Sequence, residues 1–501
     1  MHAENDRRLD GGNQFVRRPK LALIAAAGLA AMTLLTAAPA LAAAKPTTPA
    51  SAVQTPNGVK FDPSKAKCST VPGASAGTKR CVEMERLPLS DLTATQLAQR
   101  QQAMAKLSAK AKQAQAAAAP AAAAAAPAAC GFSSSGVPNG IYTISPSRLL
   151  SCSDFYWTVL DVEVVDGAFT VLGDFPFEDQ SWVTFTSTKL SWVHDMQTIS
   201  YAGGGSLKGG VDGFMSSNCT AVPTACTVTS PGDPQVIFLA SGSTNSWEWN
   251  EQDAGPASTT AGTVDNLDNV LGVNWDLVDG TSTFSQTETG GLYGRCDNRV
   301  AVTNTQGCVD ENFTPTFYPS YALYGASADM VNFAENNIPP YYGNQFSPTP
   351  TPLHRLQSTT QQTTNRNVIC DGSFTQDAAM TAALAPYTIN PARPEADSCD
   401  EYPFAGTYES GAMQTGADGQ PKPFVTTGAN CWQGTAVQSG STGIEPADWN
   451  VMLLDSMTTT TQCIRAHIPR QLNSALGGAY GNFVQQQRLL DKEAFWVFVT
   501  P

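Results

Sequence analysis

The sequence predicts a multidomain chain in which an antiparallel β-rich, sandwich-like region is followed by an α+β region. Three observations carry this. From Cys130 to about Phe313, apolar and polar residues alternate in runs such as Tyr156–Leu160, Trp182–Thr186 and Val270–Trp275, separated by clusters of Gly, Asn, Asp and Ser. A period of two between turn residues marks strands of a half-buried antiparallel sheet. Beyond Tyr318 the texture changes to helical stretches interleaved with short strands. An alanine run broken by Pro120 and Pro127 separates both regions from what precedes them, as a semi-rigid linker does.

Residues 1–42 have the pattern of a signal peptide. Arg17, Arg18 and Lys20 form a basic segment, Leu21–Leu35 is apolar, and Ala40-Leu41-Ala42 offers a small-residue cleavage site. The remaining chain is then expected to be secreted, extracellular or periplasmic, with no later segment apolar enough to span a membrane. Residues 43–129 form an Ala/Pro-rich leader carrying one disulfide loop and an exposed helix over Asp91–Ala119, with Ser90 or Asp91 as N-cap. Residues 130–317 form the β-rich region. There Trp247 and Trp249 read as core, with a sugar-binding face as the alternative, so polysaccharide or a cell surface is a candidate partner.

Residues 318–501 make the last region. Helices are expected over Asp329–Asn336, Gln357–Val368 and Asn473–Leu490, and strands over Tyr402–Tyr408, Cys463–Ile468 and Ala494–Val499. A long insertion spans Gly411–Gln462. Gly477, Gly478 and Gly481 weaken the last helix by about 1 kcal/mol each relative to Ala. They need another reason, such as close approach of a phosphate or of a neighbouring strand.

The chain has 12 cysteines falling into close pairs, among them Cys370/Cys399 and Cys431/Cys463. After export the default is disulfides, with neighbour-to-neighbour pairing the simplest connectivity. A zinc site fits less well, because no C-x2-C spacing occurs and the four histidines are scattered. The formal charge of −14 repels nucleic acid at long range. It argues against a tight DNA-binding protein but leaves room for an enzyme in which a cation bridges acid and phosphate.

The densest chemistry lies in Ser398-Cys399-Asp400-Glu401-Tyr402-Pro403-Phe404, followed by Tyr408-Glu409-Ser410-Gly411. Two carboxylates stand between a cysteine that can tether the backbone and aromatic residues that can anchor it, while Pro403 fixes φ. Holding a carboxylate in one geometry requires such a frame. This stretch resembles the D-E-[WY]-P core and following Glu-Gly-Gly turn of the NucA/NucB-type secreted deoxyribonucleases. A second match, Leu472-Asn473 to Asn482-Phe483, is similar to that family's glycine-rich helix. Pro352–Leu356, Asn365-Arg366 and Cys296-Asp297-Asn298 resemble its longer members.

The resemblance implies a ββα-metal nuclease domain with a divalent ion, Mg²⁺ or Mn²⁺, and DNA as substrate. Asp400 matches the catalytic acid and Glu401 follows it; Asn473, Asn482 and Glu409 match metal-site positions. Arginine forks onto phosphate oxygens, which makes Arg465, Arg470 and Arg488 substrate-binding candidates. Taken alone, Asn473 would serve equally as a helix N-cap. Asn482 lies about two and a half helical turns further on. Glu401, adjacent to Asp400 on a strand, is expected to point to the opposite face. His467 is a lesser candidate base.

Three departures stand out: Ser410 replaces a glycine of the turn, Leu472 stands where relatives carry an acid, and the insertion is long. The altered turn and Leu472, together with the acidic charge, favour an alternative reading, a non-catalytic secreted β-sandwich binding or adhesion protein that retains a nuclease-like scaffold. A glycoside hydrolase would need a second carboxylate at a defined separation, which Glu401 does not supply.

Overall fold

The computed structural model describes residues 61–70, 75, 77–87, 93–103, 126–132, 142–230, 235–255, 264–276, 283–287, 292–298, 305–378, 396–438, 445–454 and 462–501. The signal-peptide reading lies outside them, as do most of the leader and the alanine run. The described chain is mostly antiparallel β.

A nine-stranded sheet runs in the order Lys67–Thr70, Thr78–Leu87, Leu150–Val165, Ala168–Thr184, Ser191–Ser200, Thr244–Asp253, Cys226–Ser230, with two short strands attached. A six-stranded sheet is built around Gly210–Val222 and Val264–Asp276. Trp157, Phe175, Met196 and Trp249 of the first sheet share one core with Val211, Met215 and Leu239 of the second. Trp247 and Trp249 are buried there, so they form core and not a sugar-binding face.

The interior of this region also holds acids, each with a partner. Arg100 donates to Glu178 at 2.9 Å and to Asp154 at 3.1 Å. Gln96 donates to the hydroxyl of Tyr156 at 2.9 Å. Both donors lie on the helix over 94–103, which therefore buries one face instead of standing exposed. Thr78–Leu87 likewise joins the large sheet along its whole length, pairing with Leu150–Val165. Alternating Val82 and Met84 drive this by entering the core. Lys67–Thr70 and Thr78–Leu87 are thus sheet and not leader.

The C-terminal region centres on a four-stranded sheet in the order Asp397–Tyr402, Ile464–Pro469, Trp432–Gln438, Trp449–Leu453. The last two strands lie inside the stretch expected as an insertion. Trp432, Ala436 and Trp449 enter the core and supply the apolar face that makes them strands. Helices Tyr321–Asn337 and Arg470–Gln486 pack against this sheet, and Thr359–Ile369 follows a short strand at Leu353–His354. The strand expected from Tyr402 to Tyr408 ends at Tyr402, because Pro403 has no N–H to continue the ladder. A chain of turns follows, with Thr407 N–H donating to Phe404 O at 3.0 Å.

Helix Tyr321–Asn337 starts earlier than its apolar pattern indicates and breaks at Gly325, where φ is +45°. A Cβ there would lie 2.0 Å from the carbonyl oxygen of Pro446, so only glycine lets the segments approach.

All six disulfides join sequence neighbours: 68–81, 130–152, 219–226, 296–308, 370–399 and 431–463. The Cys370–Cys399 bridge ties the end of helix Thr359–Ile369 to strand Asp397–Tyr402 across 29 residues. Among the described residues no helix is long and apolar enough to cross a membrane. Replacing Cys370 and Cys399 by serine should cost about 3–4 kcal/mol, the loop-closure entropy of a bridge of this span. Denaturant unfolding of the double variant measures it, and a loss below about 1 kcal/mol would show the tether to be dispensable.

Candidate functional site

Strand Asp397–Tyr402 pairs antiparallel with Ile464–Pro469, placing Asp400 opposite Ala466 and Glu401 opposite Arg465. Helix Arg470–Gln486 begins directly after Pro469, a residue that pre-sets φ for a helix start. Two strands and the helix that follows them therefore converge on Asp400.

Asp400 is nearly buried. One of its oxygens accepts from the Ser327 hydroxyl at 2.8 Å, and the other from the backbone N–H of Glu401 at 3.0 Å. Burial raises its pKa to about 6, with the bond from Ser327 opposing the shift. Glu401 is equally buried and accepts from Arg366 Nε at 3.2 Å. Its pKa rises to about 7, chiefly by burial, with Arg366 opposing and the Asp400 charge adding. The side chains do take different partners, Ser327 and Arg366, as strand alternation demands. Both nevertheless line a single cavity of about 360 Å³.

Asn473 lies in the first turn of its helix and lines the same cavity. Its amide nitrogen donates to Cys399 O at 2.7 Å and to Ser398 Oγ at 3.2 Å. Because a backbone carbonyl can only accept, this contact fixes the amide orientation. The side-chain oxygen is then the atom left to take a ligand. Pro469 is the N-cap residue, so Asn473 does not cap the helix.

Below Asn473 the wall continues through Gly477 and Gly481. A Cβ at either glycine, or at Gly478, would meet no atom within 4 Å, so packing against a strand is not the reason for them. They keep the helix surface open towards the cavity. Tyr480 completes this wall, its ring stacked 5.0 Å from Phe404 and its hydroxyl donating to Gly406 O at 3.1 Å. Opposite stand Arg355, Arg366 and Gln362, with the Arg366 side chain 64% exposed.

The other candidates lie elsewhere. Glu409 is buried against His354, accepting from its backbone N–H at 2.7 Å and paired with Nδ1 at 2.8 Å, and does not line the cavity. Asn482 is exposed, half a revolution around the helix from Asn473. Arg465 is consumed by Gln433, Ile369 O and Ser373 at 2.7–3.0 Å. Arg488 is consumed by Asp297, with Nε to Oδ2 at 2.8 Å. Both are buried, so neither presents a fork to substrate. Arg470 is exposed and outside the cavity wall. His467 pairs with Asp397 at 2.6 Å and stacks on Phe374, which takes it out of the site. Ser410 fills the place of the missing glycine and is fully buried, while Gly411 is required because a Cβ would lie 2.7 Å from Cys463 Sγ.

Sequence reasoning missed Ser327, Arg355 and Arg366 as site residues. The two arginines stand within motif segments already noted, Pro352–Leu356 and Asn365-Arg366. Ser327 sits in an ordinary Ala-Ser-Ala helical run with no signal of its own.

Another group has the atom types of a hydrolase triad. Ser181 Oγ lies 2.7 Å from His194 Nε2, and Glu251 Oε1 lies 3.3 Å from Nδ1. All three are at most 1% exposed, so no substrate reaches them, and they hold the two sheets together through Ser217.

Among the described residues no cluster of three or more His, Cys, Asp or Glu could hold a metal ion. The oxygen donors that line the cavity are two carboxylates and the Asn473 amide. That set fits a hard cation retaining several waters, Mg²⁺ or Mn²⁺, and not zinc. Comparison with protein-family models, curated proteins and solved structures returns no match.

Ser327→Ala should raise the Asp400 pKa further, since its hydroxyl stabilises the ionised carboxyl. The sign follows: the lost bond matters where Asp400 is charged. Destabilisation of about 1.5–3 kcal/mol at pH 8 should shrink at pH 4. Denaturant unfolding at the two pH values measures this, and equal losses would contradict it.

Proposed function

We propose that the chain is a secreted, metal-dependent endonuclease that hydrolyses DNA phosphodiester bonds with little sequence preference, using a ββα-metal arrangement in its C-terminal region. The observation supporting this most directly is that Asp400 and Asn473, far apart in sequence, face one cavity with Glu401 and two arginines. The resemblance of the same residues to the NucA/NucB-type motifs points the same way.

Asp400 acts as general base. Its ionised carboxyl takes the proton of a water that attacks phosphorus, and the bond to the leaving deoxyribose oxygen breaks. Ser327 holds the carboxyl in orientation. The Asn473 oxygen and Glu401 would hold a divalent ion, which when bound offsets charge on the phosphoryl and leaving oxygens. Arg366, exposed on the cavity wall, faces the phosphate, and contacts of this kind carry no base information. The open glycine face of helix Arg470–Gln486 lets a bulky polymer approach.

Purified protein should nick plasmid DNA with Mg²⁺ or Mn²⁺ and lose this in EDTA. Asp400→Asn should lower kcat by about 100-fold or more, within the usual range for a general base. Activity should rise as pH increases through about 6, because the base must be ionised. An inert wild type under every divalent ion, with retained binding to polysaccharide, would sink the enzyme and favour the adhesion reading. Asn473→Ala should raise the Mg²⁺ concentration needed for half-maximal rate by about tenfold, the lower end for loss of a metal-site group, at a temperature where circular dichroism shows the variant folded. An unchanged metal requirement would remove Asn473 from the site.

A further inference from the structure

One short turn, residues 488–493, touches both the β-rich region and the cavity wall. From the β side, Arg295 Nη2 donates to Glu493 at 2.8 and 2.9 Å and to Arg488 O at 2.6 Å. Arg148 donates to Glu493 Oε2 at 2.6 Å and to Gln487 O at 3.0 Å. Asp297 binds the Arg488 guanidinium at both carboxylate oxygens. From the cavity side, the Arg355 N–H donates to Glu493 O at 2.9 Å, and Lys492 N–H donates to Arg355 O at 2.8 Å. The Arg355 guanidinium binds Leu489 O, and Gln357 N–H donates to Asp491 Oδ1 at 2.8 Å. Arg355 and Gln357 both line the cavity.

The turn is also strained. Arg488 and Lys492 adopt φ of +48° and +69°, a conformation that costs a residue with a Cβ about 1–2 kcal/mol. Such geometry persists only where surrounding contacts over-determine it. Three buried ionic residues of the β-rich region, Arg148, Arg295 and Asp297, provide those contacts.

We propose that the β-rich region is a built-in part of the site, with Arg148, Arg295 and Asp297 acting as positioning residues that set Arg355 and Gln357 through the 488–493 turn. The region then does more than carry the hydrolytic part or bind an outside partner. The effect on cleavage rests on the nuclease reading; the brace itself does not.

Hydrogen exchange of the full mature chain tests the brace, read on peptides covering 353–358. Glu493→Gln keeps the side-chain volume, and Arg295→Met removes the donor; Lys208→Ala, at an exposed turn, is the control. Both brace variants should speed exchange in 353–358 at least tenfold, with the control unchanged. Equal exchange in folded Glu493→Gln overturns the proposal, whether or not the protein cleaves DNA. A plasmid-cleavage cycle with Arg355→Ala adds a functional readout. The loss in kcat/KM caused by Glu493→Gln should largely vanish in the Arg355→Ala background. Additive losses would mean that the brace acts on stability alone. A wild type that does not cleave removes the nuclease reading, and the exchange result still decides the brace.

Discussion

The pairing of strand Asp397–Tyr402 with Ile464–Pro469 sets the geometry on which the candidate site depends. Side chains on a strand alternate between faces, so a slip of one residue would turn Asp400 away from Ser327 and bring its neighbour inwards. The same pairing fixes where Pro469 lies, hence where helix Arg470–Gln486 starts, hence where Asn473 falls. The bond from Asn473 to Cys399 O closes this loop of dependence, since the helix holds the strand that positions the helix. Tyr402 anchors the end of the strand, its hydroxyl donating to Tyr342 O at 2.8 Å.

Burial then shapes the chemistry. Two adjacent carboxyls are kept from water, Asp400 held by the Ser327 hydroxyl and the backbone N–H of Glu401, and Glu401 by Arg366. Burial leaves their affinity for protons high. The β-rich region treats its acids differently: Arg100 spans Asp154 and Glu178. One arrangement spends charge on cohesion; the other keeps it in reserve.

Much of this was legible in the sequence, where local signals were strong. Alternation marked the long strands, and neighbouring cysteines marked the bridges. The Cys-Asp-Glu-Tyr-Pro stretch marked the strand that carries Asp400. The leader misread as free-standing shows the limit: Thr78–Leu87 has charged residues at Lys79, Arg80, Glu83, Glu85 and Arg86 and looks soluble. Its pairing with Leu150–Val165 is a long-range event that no window of sequence contains. Arg465 and Arg488 looked like phosphate forks, because composition cannot tell a cation facing solvent from one spent on a distant Asp371 or Asp297. Ser327 is the clearest case, a small hydroxyl whose role comes only from the strand that packs on it.

The bridge between Cys370 and Cys399 has a consequence for when the site comes into being. It fastens the helix bearing Arg366 to the strand bearing Glu401, so two facing walls share one covalent rivet. A chain whose thiols are still reduced, as in the cytosol where it is made, lacks that rivet. Maturation of this wall therefore waits on electron loss from sulfur.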